Sequence, residues 1–356
     1  MEPLIGGRVF HQITSARAYV SKNGKRAFIG IDIGGTKSLF ALFDEGFEVL
    51  AEEKFRTHQE KGGVRAFTKR VAACVKHLMT EARARDLRIK AVGVGCAGDI
   101  DMREGVVRAS PNLPFLTGYS FRRPLERLTG AKVFVGHDVQ TALYGEFRLG
   151  AARKARHIIG IWIGTGIGGA VILDGRLFLG ASGAAGDIGN YLLHAVDVSQ
   201  EIPRKEVLDS VASRTAIAAE AASLAARHHA LVLRKLSGTD VTDIKSGDLA
   251  EAIRRGDKPV ERLVRSRARV VGAVISNLVD FLNPDMVVLG GGLVEAIPEL
   301  MRREVKKSIL AHASPRAAKA LQVKVARLHN HAVTGGAAKL AVDMFSSDPP
   351  LDLSRL

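Results

Sequence analysis

Apolar residues recur along this chain with two periods, and the order in which the periods alternate sets out an architecture. Residues 27–57 hold three strand-like runs in succession, the third over 47–55. A helical period follows, with Val64, Phe67, Val71, Cys74, Val75, Leu78 and Ala82 spaced three and four apart. Residues 89–96, IKAVGVGC, read as a buried strand ending at Ala97-Gly98-Asp99, a place where α/β proteins put ligands. Pro111-Asn112-Leu113-Pro114 is a rigid loop. A strand over 132–136 then delivers His137-Asp138 to the start of the helix VQTALYGEFRLG.

The same order begins again after Ala152. Strands over 157–163, 170–173 and 176–179 precede several helices, of which 260–282 is the clearest, ending at Asn283-Pro284. A strand over 286–289 runs into Gly290-Gly291-Gly292; a helix, a strand over 323–328 and a last helix over 332–345 complete the pattern. This repetition predicts a duplicated α/β fold of two domains with a cleft between them. We divide the chain into an extension (1–26), an N-terminal domain (27–145), a C-terminal domain (146–346) whose last helix packs back on the first, and a tail (347–356).

Composition narrows the picture without changing it. At 356 residues, 46% hydrophobic and 25% charged, the chain is expected to be soluble with two cores. Cys74 and Cys96 lie in apolar runs, which reads as buried free thiols in a reducing compartment. No stretch approaches the roughly 20 apolar residues that span a bilayer, so a cytoplasmic protein without membrane contact is expected. The net charge of +15 is spread over polar helix faces as surface charge. It also suits attraction of a polyanionic nucleotide, and it leaves polyphosphate open as a donor.

Two glycine-rich stretches carry the candidate chemistry. FIGIDIGGTK (28–37) and IWIGTGIGGA (161–170) each read as strand, tight turn, strand. Glycines at such turns let backbone N–H groups converge on a phosphate with no Cβ in the way. Two such hairpins facing each other would clasp a triphosphate. Gly164, Gly166 and Gly169 also satisfy the spacing G-x-G-x-x-G, but the dinucleotide fingerprint needs a helix there and a strand follows instead. No Gly-Lys-Ser/Thr opens a helix, which excludes a Walker loop.

Taken in order, the motifs resemble the ROK family of sugar kinases and sugar-responsive repressors, within the group that shares the actin/hexokinase-like (ribonuclease H-like) fold. The resemblance rests on GIDIGGTK, GVGCAGDID, PNLP, HDVQTALYGE, IGTGIGGAVILDG, GAAGDIGN, LDSVASRTAI and NPDMVVLGGGL, and covers nearly all of residues 27–345. It implies ATP-dependent phosphorylation of a hexose hydroxyl, with Asp138 as general base and Asp32 holding Mg²⁺, usually through water. Gly34, Gly35, Thr36 and Lys37 would hold one end of the polyphosphate and Thr165 and Gly166 the other. Gly290, Gly291 and Gly292 would border the adenosine; Asn112, His137, Asp138, Asp187, Asn190 and Asp209 would meet the sugar. A homodimer is implied. An N-cap on the helix that follows is the competing role for Asp138, and a glycine-satisfied turn for Asp32.

The chain departs from the family pattern at His137, Asp187, Asn190 and Asp209, where most members carry Asn, Glu, His and Glu. Each Glu to Asp change withdraws a carboxylate by one methylene, so the same sugar would be reached through water or a shifted backbone. His137, when protonated, would make Asp138 a weaker base at low pH. The family's Cys-rich zinc loop is replaced by YLLHAVDVSQEIPRKEV, so no zinc is expected. That loop would hold its shape by packing Leu192, Leu193, Val196 and Ile202, or stay mobile until sugar binds. The leading reading is a glucokinase-like enzyme. Kinases of N-acetylglucosamine, N-acetylmannosamine or fructose, and a non-catalytic sugar binder or sensor, are the alternatives. Residues 1–26 show no pair of amphipathic helices, so no nucleic-acid partner is expected.

Overall fold

The computed structural model describes residues 25–57, 62–193, 206–347, 349–351 and 353. The first half opens with β1 (Lys25–Ile33), β2 (Lys37–Phe43) and β3 (Val49–Arg56), joined antiparallel. Then come α1 (Gly63–Ala84), β4 (Leu87–Cys96), a small hairpin of β5 (Asp99–Asp101) and β6 (Val106–Ala109), and α2 (Arg122–Thr129). β7 (Lys132–His137) and α3 (Asp138–Arg148) complete it. The five-stranded sheet runs β3-β2-β1-β4-β7, with β4 and β7 added parallel to β1.

The second half repeats this sheet. β8 (Ile158–Ile163), β9 (Ile167–Leu173) and β10 (Arg176–Phe178) are antiparallel neighbours. Five helices follow: α4 (Leu208–Ala212), α5 (Arg214–Ala226), α6 (Leu231–Ser237), α7 (Ser246–Arg254) and α8 (Lys258–Leu282). β11 (Met286–Gly290) leads to α9 (Gly292–Ala296), α10 (Pro298–His312) and α11 (Pro315–Ala320), then β12 (Gln322–Val325) and α12 (Ala332–Met344). The order β10-β9-β8-β11-β12 matches the first sheet strand for strand, the duplication expected from the sequence. The extra helices α4–α8 stand where the first half has α1 alone. α8 ends where the sequence signals a stop, with Asn283 in the left-handed conformation (φ 47°) before Pro284.

Continuous apolar runs in β8 and β11 arise because both faces of the second sheet are covered. Ile158, Ile172, Met286 and Val288 join the core that faces the first half. Their neighbours Ile159, Ile161, Val287 and Leu289 point the other way, into a core built with α4–α10. Between the two sheets lie α3 and α12, and α12 packs on β1, β4 and α3. It does so at backbone distance. A Cβ at Gly30 would lie 1.9 Å from the Thr334 carbonyl oxygen, and one at Gly336 1.8 Å from that of Thr141. The boundary placed after residue 145 falls in the last turn of α3. Cys96 is buried, whereas Cys74 is only half-buried because it sits on the flank of α1.

One buried carboxylate ties these pieces together. Glu146, with no exposed surface, accepts backbone N–H groups from Arg327 (2.8 Å) and Leu328 (2.7 Å) on Oε1 and from Ala151 (2.7 Å) on Oε2. It thereby fixes the end of α3 to the segment that leads from β12 into α12.

Candidate active site

Strand register decides what meets at the cleft. In the parallel pairs, Asp32 stands opposite Gly95 and Cys96 opposite His137, so Asp32, residues 97–99 and Asp138 leave the first sheet at one edge. In the second sheet Gly290 stands opposite Trp162, which brings the turn after β8 and the glycines after β11 to one end. These ends border a cavity of about 1170 Å³. Of the residues singled out from the sequence, Gly35, Thr36, Asn112, His137, Asp138, Thr165, Gly166, Asp187, Asn190, Asp209 and Gly291 line it. Asp32, Gly34, Lys37, Gly290 and Gly292 lie outside that lining.

Both glycine-rich stretches are hairpins, and both turns reach the cavity. Gly34 N–H donates to the Lys37 carbonyl (3.1 Å) in the first, and Gly164 N–H to the Gly166 carbonyl (2.8 Å) in the second. Strand β9 follows the second turn, so the G-x-G-x-x-G there opens no helix. The Lys37 ammonium turns to Asn330, donating to its Oδ1 at 3.1 Å. Gly291 adopts φ 89°, and a Cβ there would lie 2.6 Å from the Ile163 carbonyl oxygen, so only glycine fits.

Asp138 is the first residue of α3, and His137 takes the cap position without a side-chain cap bond. Asp138 Oδ1 accepts its neighbour's Val139 N–H at 2.8 Å and lies 3.3 Å from His137 Nδ1. Neither contact occupies Oδ2. Asp138 therefore presents a carboxylate oxygen at the cavity wall, at the N-terminus of a helix whose dipole favours its charge.

Behind it, burial pushes the Asp32 carboxyl up to about 7, the charge of Asp138 adds to the rise, and Lys37 opposes it. A folded-state pKa raised this far means that this group's contribution to stability is fully present below its ordinary value of 3.8 and is lost as pH rises to about 7. Without divalent cation, the wild-type melting temperature should fall between about pH 4 and pH 7 and level off above, and Asp32→Asn should flatten that slope. Parallel melting curves in a chelator decide it; an unchanged slope in the variant would refute the assignment.

A model of the ROK family matches residues 28–344. The chain belongs to the ROK family. The glucokinase of Thermotoga maritima is 29% identical over 321 residues, 89% of this chain and 97% of the relative. A ROK family glucokinase from Streptomyces griseus, solved in complex with glucose and AMPPNP, superposes with a TM-score of 0.74 at 27% identity. That match covers 89% of this chain and 99% of the solved one. A ROK hexokinase from Thermus thermophilus gives 0.69 at 29% identity over 89% of this chain and 98% of its own. The duplicated sheets are thus the actin/hexokinase-like fold.

Within this ROK protein the altered positions take specific partners. Asn190 Nδ2 donates to Asp187 Oδ2 at 2.7 Å, so the two hold each other at the cavity edge. Asp209 lines the cavity, and its Oδ1 accepts the Ile167 N–H at 2.5 Å, directly behind the second glycine-rich turn. A Cβ on Gly166 would lie 2.8 Å from that oxygen. The shortened side chain thus reaches the hairpin backbone. Leu193 packs against the second core and Leu192 is exposed, while Leu193 N–H donates to the Glu206 carbonyl (2.9 Å). Val196, Ile202 and most of the loop on which the zinc expectation rests lie outside the described residues.

Sequence reasoning missed the clamp on the second turn. Thr215 Oγ1 donates to the Thr165 carbonyl (2.7 Å), Arg214 N–H to the Gly164 carbonyl (2.9 Å), and Arg214 Nη2 to Thr165 Oγ1 (3.2 Å). Burial lowers the Arg214 pKa. Both residues lie in LDSVASRTAI, but nothing local marks their target, which α5 reaches by starting against a turn nearly 50 residues upstream. Gln140 was missed as well. It lines the cavity two positions after Asp138, and its Nε2 donates to the Gly183 carbonyl at 2.8 Å.

Proposed function

We propose that this ROK protein is a glucokinase-like sugar kinase, transferring the γ-phosphoryl group of ATP to a hexose hydroxyl. What supports this most is that both hairpin turns, Asp138 and the loop bearing Asp187 and Asn190 line one cavity. Asp138 accepts the hydroxyl proton as the oxygen attacks the γ-phosphorus, and ADP leaves with the bridging oxygen. Backbone N–H groups of Gly35 and Thr36 in the first turn and of Thr165 and Gly166 in the second hold the polyphosphate, with Gly291 beside the adenosine. Asn112, His137, Asp187 and Asn190 orient the sugar.

Asp32 fits a divalent cation, because its buried carboxyl is raised by its own desolvation and by a neighbouring negative charge. Asp32 would hold Mg²⁺ there, and the bound ion would supply positive charge that offsets the charge on the phosphates. The same reading carries a cytoplasmic homodimer, which light scattering on a sizing column checks. An ADP-release screen over hexoses and N-acylhexosamines tests the function: turnover with glucose or a close relative is expected, and no turnover with any sugar would refute it.

The mutual pairing of Asp187 and Asn190 favours one second reading, a sugar binder without turnover. It requires sugar-dependent thermal stabilisation with no ADP release in the same screen.

The contact between Asp209 and the hairpin gives a separate expectation. Asp209→Ala should raise the KM for ATP about tenfold, the loss of one charge-assisted hydrogen bond of about 1.5 kcal/mol, and the sugar KM by less. Steady-state kinetics with each substrate varied in turn decide it; a rise confined to the sugar KM would make Asp209 a sugar ligand instead.

A further inference from the structure

The amide of Gln140 is the one polar side chain of the cavity wall that is both buried and half-satisfied among the described residues. The residue is 3% exposed, Nε2 donates to the Gly183 carbonyl at 2.8 Å, and Oε1 is buried without a partner. A buried acceptor left unpaired is unfavourable, and an apolar side chain of the same shape would avoid that penalty. What the amide does, and an apolar residue could not, is hold the Gly183 carbonyl.

Gly183 opens the loop 183–190, which carries Asp187 and Asn190 and rests on β9. A Cβ at Gly186 would lie 2.8 Å from the Cα of Ala170, and one at Gly189 2.3 Å from the Ile167 carbonyl oxygen. The far side of this loop is therefore fixed by close backbone packing, whereas its start is fixed to α3 by Gln140. Since α3 begins with Asp138, one side chain joins the proposed base to the proposed sugar loop across the two halves.

We propose that Gln140 is a positioning residue for the acceptor: it sets the placement of loop 183–190 relative to Asp138, acting through Gly183 rather than on the sugar itself. The proposal rests on the sugar-kinase reading for its kinetic consequence, but not for its structural one. Orientation of a reacting hydroxyl tolerates little displacement, so losing the tether lowers productive acceptor binding while the nucleotide turns stay as they were.

The test uses Gln140→Met, which keeps the shape and removes both polar atoms. The variant is expected to melt no lower than the wild type, to raise the sugar KM about tenfold and to leave the KM for ATP within twofold. Hydrogen exchange of the sugar-free variant should be faster over residues 183–190 and unchanged over the turns at 34–36 and 164–166. An unchanged sugar KM, or both KM values rising together with a lower melting temperature, would overturn the proposal. Should wild type phosphorylate no sugar, the function fails, and hydrogen exchange decides Gln140 alone: unchanged exchange over 183–190 overturns it. Should Gln140→Met fail to fold, Gln140→Leu takes the same two measurements.

Discussion

Asp138→Asn should lower turnover by roughly 10²- to 10⁴-fold, the usual contribution of a positioned general base, while sugar affinity stays within a few-fold of wild type. The substitution preserves shape. Its Oδ1 can still accept the Val139 N–H, and the Thr141 hydroxyl still donates to the residue 138 carbonyl at 2.7 Å, so the start of α3 holds. The proton acceptor alone is lost. Binding can be followed separately from turnover, since the protein's single tryptophan, Trp162, lines the cavity and reports on its contents by fluorescence. A variant that keeps a third or more of the wild-type rate would remove Asp138 from the chemistry. One that loses sugar binding and turnover together would make it a ligand first.

The second large effect lies away from the cavity. Glu146→Ala should destabilise the protein by about 3–5 kcal/mol, the range for leaving buried partners of a charged group unpaired. Three backbone N–H groups lose their acceptor at once, and all three belong to segments that position α12 and the end of α3. Against a typical total of about 5–15 kcal/mol this is a severe loss. Burial, outweighing those hydrogen bonds, raises the Glu146 pKa. The native state thus holds that proton more tightly than the unfolded chain, so this group's contribution falls as pH rises from the ordinary glutamate range through the raised value. Denaturant titrations at several pH values should show lower stability for Glu146→Ala and no such slope; wild-type stability in the variant would contradict the assigned role.

Much of the fold was legible because period and order carry it. Three antiparallel strands followed by helix-linked parallel strands can be read twice from apolar runs and from the glycines that end them. Both glycine-rich hairpin turns were visible for the same reason, as was the place of Asp138 at a strand-to-helix junction. The partners of long or shortened polar side chains were not legible. Asp209 looks like a sugar ligand in sequence and does line the cavity, but the sequence does not show that α4 also sets its Oδ1 against the backbone of Ile167, about 40 residues away in the chain. Lys37 reads as a phosphate ligand beside its glycines, while its ammonium meets Asn330, which only the docking of α12 brings near. Gln140 looks like an ordinary polar helix position until the loop at Gly183 closes over it. In each case the backbone element follows from local pattern, and the side chain's target is supplied by a segment with no local relation to it.

The central claim is that one cavity holds a nucleotide tail between two turns and a sugar hydroxyl at Asp138. A crystal structure with glucose, Mg²⁺ and a non-hydrolysable ATP analogue tests it most directly. The expected result places one sugar hydroxyl about 2.6–3.2 Å from an Asp138 oxygen, with the phosphates between residues 34–36 and 164–166. A sugar bound away from Asp138, or phosphates touching neither turn, would contradict it.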